Sequence, residues 1–233
     1  MGLIIWYYSF WLVYLLVNLS ESQKTSNGIR LVLIQKNIMA ISMDQVKELR
    51  EKTGISIMQC RKALEDSNGD MDKAMVFLQK KGAETAAKKA ERTLKSSRII
   101  AYVHGGGTVG VMIELCSESD FVSKHEDFQK LAHDIAMQIA ATNPAYLKKE
   151  DVDEIEKKKV LEAFADEVKD KPEAMREKIL NGKLDAFFQE RILLEQAYIK
   201  DPSVTINTLI QNAIQKFGEK IEIARFVRYN SAK

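Results

Sequence analysis

Three consecutive glycines sit between two runs of β-forming residues, and no other segment restricts the fold as tightly. Residues 99–104 read IIAYVH and residues 109–116 read VGVMIELC, with Gly105, Gly106 and Gly107 between them. β-Branched and aromatic side chains favour a pleated backbone, and glycines supply the positive φ of a tight reversal. The stretch is therefore an antiparallel hairpin. Val109, Val111, Ile113 and Leu115 share one face at period two. Residues 221–229, IEIARFVRY, alternate in the same way and can return to the hairpin as a third strand.

Helical stripes separate the hairpin from that returning strand. Phe128, Leu131, Ala132, Ile135 and Ile139 form one, ended by Asn143-Pro144. Residues 148–170 are charged with a seam of Val160, Leu161, Phe164 and Val168, which predicts a protruding, partly solvated helix. A further helical region opens at Pro172 and runs through Phe187 and Leu194. The cleanest stripe is Ile206, Leu209, Ile210, Ala213, Ile214 and Phe217, closed by Gly218. Residues 99–233 thus read as an α+β core, a small antiparallel sheet with helices packed on one face.

Residues 39–82 precede it as a module of three short helices. Ser42 with Gln45 makes a capping box, Ser56 with Gln59 a second, and Asp70 is a good N-cap for the third helix. Thr53-Gly54 stops the first helix. The second carries Ile57, Cys60 and Leu64 on one face, and the third carries Met71, Ala74, Met75 and Leu78 before Gly82. About 40 residues bury only a small core, which suits a binding module. Residues 83–98 follow as a basic linker. Without interleaved aromatic side chains to stack on bases, its charges read as a solvated helix and not as an arm on nucleic acid.

The N-terminal 38 residues are of another character. Residues 3–17 read LIIWYYSFWLVYLLV, hold both tryptophans, and no charge appears before Glu21. The run is short of the roughly 20 residues of a spanning helix. It also lacks the leading Lys or Arg and the small-residue cleavage site of a secretory signal. Residues 1–38 are best read as sequence upstream of a start at Met39 or Met43, ahead of a membrane anchor or a signal peptide. The chain has 35 basic and 33 acidic side chains. Residues 1–38 hold three of the basic ones and one of the acidic ones, so residues 39–233 carry no formal net charge. That balance gives no support to wholesale binding of nucleic acid.

Catalytic motifs are incomplete. His104 with the three glycines matches the HGGG oxyanion element of esterases, but no G-x-S-x-G supplies a nucleophile. The spacing of Gly105 and Gly110 fits a phosphate loop, yet Val111 and Met112 occupy the Lys and Ser/Thr positions, so direct nucleotide binding is not expected. His104, His125 and His133 form no H-E-x-x-H, and Cys60 and Cys116 no C-x-x-C, so no metal or other cofactor is expected. By elimination the chain is a binding protein and not an enzyme.

Two segments resemble the characteristic motifs of translation elongation factor Ts, the nucleotide-exchange factor of elongation factor Tu. Residues 49–64, LREKTGISIMQCRKAL, look like its first motif, and residues 115–128, LCSESDFVSKHEDF, like its second. The likeness continues in family order through GDMDKAMVFLQKKG, DIAMQIAATNP and LLEQAYIKDPSVTI to RFVRY. Ser119 stands for the usual Thr and keeps the hydroxyl; Ser117, Cys116, Thr108, Gln59 and Arg61 depart from the common pattern.

The resemblance implies that residues 39–82 are a ubiquitin-associated-like domain and that the chain binds elongation factor Tu in GDP-bound and nucleotide-free forms. Ser119, Asp120, Phe121 and Val122 would then disturb the partner's Mg²⁺ site, Phe121 as a wedge with Asp120 beside it and Ser119 and Val122 supporting the turn. Arg50, Ile57, Met58 and His104 would be partner contacts. Ile57 and Met58 also have a plain reading as module core, although adjacent helical residues cannot both face one small core. A single sheet leaves open edges, so a cytoplasmic homodimer is expected. The competing reading is a membrane-tethered adaptor of the ubiquitin-associated type, anchored by residues 3–17.

Overall fold

The computed structural model describes residues 41–169 and 172–231, so the apolar run at residues 3–17 lies outside the described residues. Helix α1 (Met43–Thr53) starts where its capping box places it. Ser42 Oγ accepts from the Gln45 amide at 3.1 Å, and Gln45 Oε1 accepts from the Ser42 amide at 3.2 Å. Gly54, at φ 69°, ends it. In α2 (Ile57–Asp66) the Ser56 half of the second box forms, its Oγ accepting from the Gln59 amide at 3.4 Å. Asp70 caps α3 (Met71–Lys89) by accepting from the Lys73 amide at 3.1 Å. Val46, Leu49, Ile55, Cys60, Ala63, Leu64, Ala74 and Leu78 make the core of these three helices. Ile57, placed on the inner face by spacing, is 41% exposed, whereas Ile55 on the connecting segment is fully buried in this core.

Gly82 does not end the third helix. Its φ is not among the positive ones, and α3 continues seven residues past it to Lys89. A Cβ added at Gly82 would sit 3.4 Å from Gln215 Oε1 and 3.5 Å from Gln211 Cβ. The glycine therefore marks a close crossing of helices. The linker expected over residues 83–98 is accordingly corrected at both ends: its first part is helix packed on the core, and its last residues already belong to the sheet.

The core runs β1 (Ser96–His104), a glycine turn (Gly105–Gly107), β2 (Val109–Ser117), α4 (Asp120–Lys124), α5 (Glu126–Thr142), α6 (Glu154–Ala165), α7 (Glu173–Gln189), β3 (Ala197–Tyr198), β4 (Asp201–Thr205), α8 (Ile206–Phe217) and β5 (Ile221–Asn230). The sheet has the order β1-β2-β5, antiparallel throughout, with Ile100 opposite Ile113 and Ile113 opposite Phe226. The expected α+β core is present. Gly105, Gly106 and Gly107 all have positive φ (62°, 68° and 99°), which side chains with a Cβ rarely adopt. Thr108 Oγ1 closes the turn on the Gly105 carbonyl at 3.1 Å.

Val111, Ile113 and Leu115 bury one face of the sheet against Phe128, Ala132, Ile135 and Ile139 of α5, and Ile206, Ile210 and Ile214 of α8 join the same core. The other face carries Ile99, Val103, Met112, Val227 and Tyr229 in the open.

Two helical expectations change. Residues 148–170 are not one helix: the Asp151 carboxylate accepts from the Lys148 amide at 3.1 Å in a 3₁₀ turn, and Asp153 starts α6 afresh by accepting from the Ile155 amide at 3.0 Å. Val160 packs with Val152, Phe188 and Ile192 in a separate small cluster. Helix α7 stops at Gln189, and the segment expected to be helical to Leu194 becomes a 3₁₀ turn (Leu193–Glu195) before the β3–β4 hairpin.

Because Gly82 is helical and a methyl fits there at van der Waals distance, Gly82→Ala should stabilise the protein by about 0.5–1 kcal/mol. An increase in the urea midpoint supports the crossing, whereas a decrease would identify Gly82 as a strained cap.

Candidate functional site

Helix α4 is only five residues long, below the length that holds a helix by itself. Its shape comes from its surroundings. Ser119 Oγ faces the Val122 amide at 3.4 Å as the N-cap, and Ser117 Oγ donates to the Ser119 carbonyl at 2.8 Å. Val122 and Ser123 are buried. The Ser123 hydroxyl lies 2.8 Å from that of Ser96, and Arg98 Nε donates to the Ser123 carbonyl at 3.3 Å, so α4 is fastened to β1. The Glu219 carboxylate accepts from the Ser119 amide at 2.9 Å and its hydroxyl at 2.6 Å.

The remaining two residues of the motif point outward. Phe121 is 77% exposed and Asp120 is exposed beside it. Lys124 Nζ donates to Asp120 Oδ2 at 2.5 Å, and this bond and the ammonium charge hold the Asp120 carboxyl below the usual range. The motif is thus divided: Ser119 and Val122 belong to the scaffold, while Asp120 and Phe121 are displayed.

The other predicted contacts lie elsewhere. His104 ends β1, its Nδ1 2.8 Å from Tyr102 Oη. It sits at the hairpin's turn, whereas α4 follows the far end of β2. The eight steps along the nine-residue β2 separate the two by roughly 27 Å at 3.4 Å per step. Arg50 is in the last turn of α1, and Met58 in the first turn of α2 is 75% exposed. With Ile57 and Met58 both out of the core, the module offers an apolar surface of its own.

Nucleophilic chemistry finds no support at the cysteines: burial pushes the Cys60 and Cys116 thiols up, away from the reactive thiolate. Among the described residues no group of three or more His, Cys, Asp or Glu could hold a metal ion, and no helix is long and apolar enough to cross a membrane. A cavity of about 790 Å³ lined by Gln138, Thr142, Arg191 and Gln196 includes no α4 residue, and three of its polar side chains bond one another, Thr142 Oγ1 to Gln196 Oε1 at 2.7 Å and Gln138 Nε2 to Gln196 Oε1 at 3.0 Å.

The family model described as Elongation factor TS matches residues 36–233. The chain belongs to the elongation factor Ts family. It is 50% identical over 193 residues to the elongation factor Ts of Thermotoga maritima, covering 82% of this chain and 96% of the relative. Identity to that of Moorella thermoacetica is 50% over 192 residues, covering 81% and 94%, and to that of Thermodesulfovibrio yellowstonii 50% over 194 residues, covering 82% and 96%. The protein is thus a translation elongation factor. The elongation factor Ts motif is legible in the sequence, whereas the groups that hold it emerge from the structure. Lys124 was within reach of an i,i+4 argument from Asp120. Glu219 was not, being 100 residues away from Ser119 with no local pattern to mark it.

Since the Lys124 ammonium is the main cause of the low Asp120 carboxyl, Lys124→Met should raise the Asp120 pKa toward that of an ordinary aspartate. A carboxyl-detected NMR titration reads this directly, and an unmoved Asp120 would show that the pair does not persist in solution.

Proposed function

We propose that the chain is the guanine-nucleotide exchange factor of elongation factor Tu, binding the GDP complex and releasing GDP by disturbing the Mg²⁺ and phosphate site. The observation that carries the reading is the exposure of Phe121 on a helix whose other side is bolted down. A phenyl ring left in water forgoes about 2 kcal/mol of burial, and Phe121 contributes nothing evident to this fold in return. An exposed aromatic on rigid support is suited to a partner's pocket, since it brings large apolar area with few rotors to freeze. Family membership supports the same role.

In the partner, GDP phosphates rest on backbone amides and share oxygen coordination with Mg²⁺, so each holds the other. Phe121 enters between helices of the partner's switch region, and Asp120 brings a carboxylate near the ion's surroundings. Ser119 and Val122 present the pair. Arg50, Ile57 and Met58 grip the partner from the three-helix module, and His104 reaches it from the hairpin turn, near its phosphate loop. The roughly 27 Å between that turn and α4 fits a footprint spread across one partner domain. No covalent bond changes. The factor prefers the nucleotide-free partner, and by linkage GDP and the factor weaken each other's binding by the same factor. Entering GTP completes the cycle.

The open face of the sheet supports a homodimer. Ile99, Val103, Met112, Val227 and Tyr229 line one continuous face through the register pairs Met112–Val227 and Gly110–Tyr229. A second copy meeting it across a two-fold axis would cover the apolar side chains in both.

Phe121→Ala and Asp120→Ala should each slow factor-stimulated GDP release by about tenfold or more with the fold intact, the scale of an interface hot spot. Unchanged stimulation with both replaced would remove the wedge. Separately, Val103→Glu with Met112→Glu should convert a dimer to a monomer in sedimentation equilibrium; a parent chain that is already monomeric would overturn the dimer.

A further inference from the structure

Two loops far apart in the chain meet at the base of α4 and hold each other through acidic side chains. Glu118 and Ser119 precede α4; Glu219 and Lys220 follow Gly218, the left-handed residue that ends α8. Glu219 accepts from the Ser119 amide at 2.9 Å and the Ser119 hydroxyl at 2.6 Å. In return Glu118 accepts from the Lys220 amide at 2.6 Å. Each loop thus lends a carboxylate to the other's backbone. The Lys220 amide and the Arg92 guanidinium hold the Glu118 carboxyl below the usual range, so it is ionised at neutral pH and its bonds are charge-assisted.

The end of α3 is drawn into the same joint. Arg92 Nη1 donates to Glu118 at 3.2 Å, Lys89 Nζ to the Gly218 carbonyl at 2.6 Å, and Lys220 Nζ to the Ala90 carbonyl at 2.7 Å. Two positive charges of residues 83–98, Lys89 and Arg92, are therefore occupied within the protein.

The bonds at Ser119 fix more than a loop. Once its hydroxyl donates to Glu219, a lone pair is left facing the Val122 amide, which is the capping contact that starts α4. Phe121 and Asp120 are exposed, so core packing does not set their direction. It is set by the orientation of a five-residue helix, and Glu219 holds that helix's N-cap, Ser119, by both backbone and side chain. We propose that Glu219 is a positioning residue for nucleotide exchange, acting through Ser119 to aim Phe121 and Asp120. This inference rests on the reading of Phe121 and Asp120 as the displacing pair.

The experiment measures GDP release from the partner over a range of factor concentrations, separating the maximal rate from the half-saturating concentration. Glu219→Ala should lower the maximal rate about tenfold, as expected for losing a charge-assisted bond, and leave half-saturation nearly unchanged. Glu219→Gln, whose amide oxygen can still accept from the Ser119 amide, should restore most of the rate. With Phe121→Ala already in place, Glu219→Ala should cost less than about twofold more, because residues acting as one unit are not additive.

A maximal rate within twofold of the parent for Glu219→Ala, alongside a defective Phe121→Ala, would overturn the assignment alone. So would an equal loss from Glu219→Ala in both backgrounds. If Phe121→Ala itself releases GDP normally, the displacing pair fails and the role of Glu219 with it. Should Glu219→Ala not fold, Glu219→Asp keeps the charge with a shorter reach. It should lose maximal rate without loss of thermal stability, and full retention of rate would count against the assignment.

Discussion

The contact between the inner face of β2 and the apolar stripe of α5 is the constraint from which the rest of the core follows. Val111, Ile113 and Leu115 lie in the central strand, so the side chains that meet Phe128, Ala132, Ile135 and Ile139 also fix where β1 and β5 can pair. A slip of one residue would turn those side chains to the opposite face, which makes the register stringent. With β2 seated, its last residue sets where Ser119 and α4 emerge. Sheet, helix and candidate site are in this sense one arrangement.

What could be read from the chain beforehand was what depends on local period and capping. The Ser42 box, the Asp70 cap, the glycine turn and the α8 stripe are all decided by neighbours within four residues or by the alternation of a strand. The failures share a cause too. Gly82 looked like a stop because glycine is a poor helix former, yet what matters there is the approach of α8, more than a hundred residues later in the chain. The β3–β4 hairpin was invisible because its strands are two and five residues long, too short for a period to show. Ile57 is exposed while Ile55, which no helical wheel includes, is buried.

The candidate site shows the same division at smaller scale. The Ser-Asp-Phe-Val segment was legible as a motif, and the structure separates its members into two that are anchored and two that are displayed. The carboxylates behind it were not legible, since Glu118 and Glu219 find their partners across 102 and 100 residues. Polar joints of this kind leave no trace in hydrophobic patterning. They depend on a turn arriving with its amides free, as the turn after Gly218 does.

The position of β5 bears on how the molecule assembles during synthesis. Its Arg225 pairs with Glu114 across 111 residues, and the sheet has no third strand until that segment has left the ribosome. Contacts of such long range close slowly. The three-helix module, whose contacts are local, can form while the core is still being made, and the hairpin must wait with an open edge on β2. Folding of this factor should therefore proceed in two stages, with its nascent core most exposed to aggregation in the interval before β5 arrives.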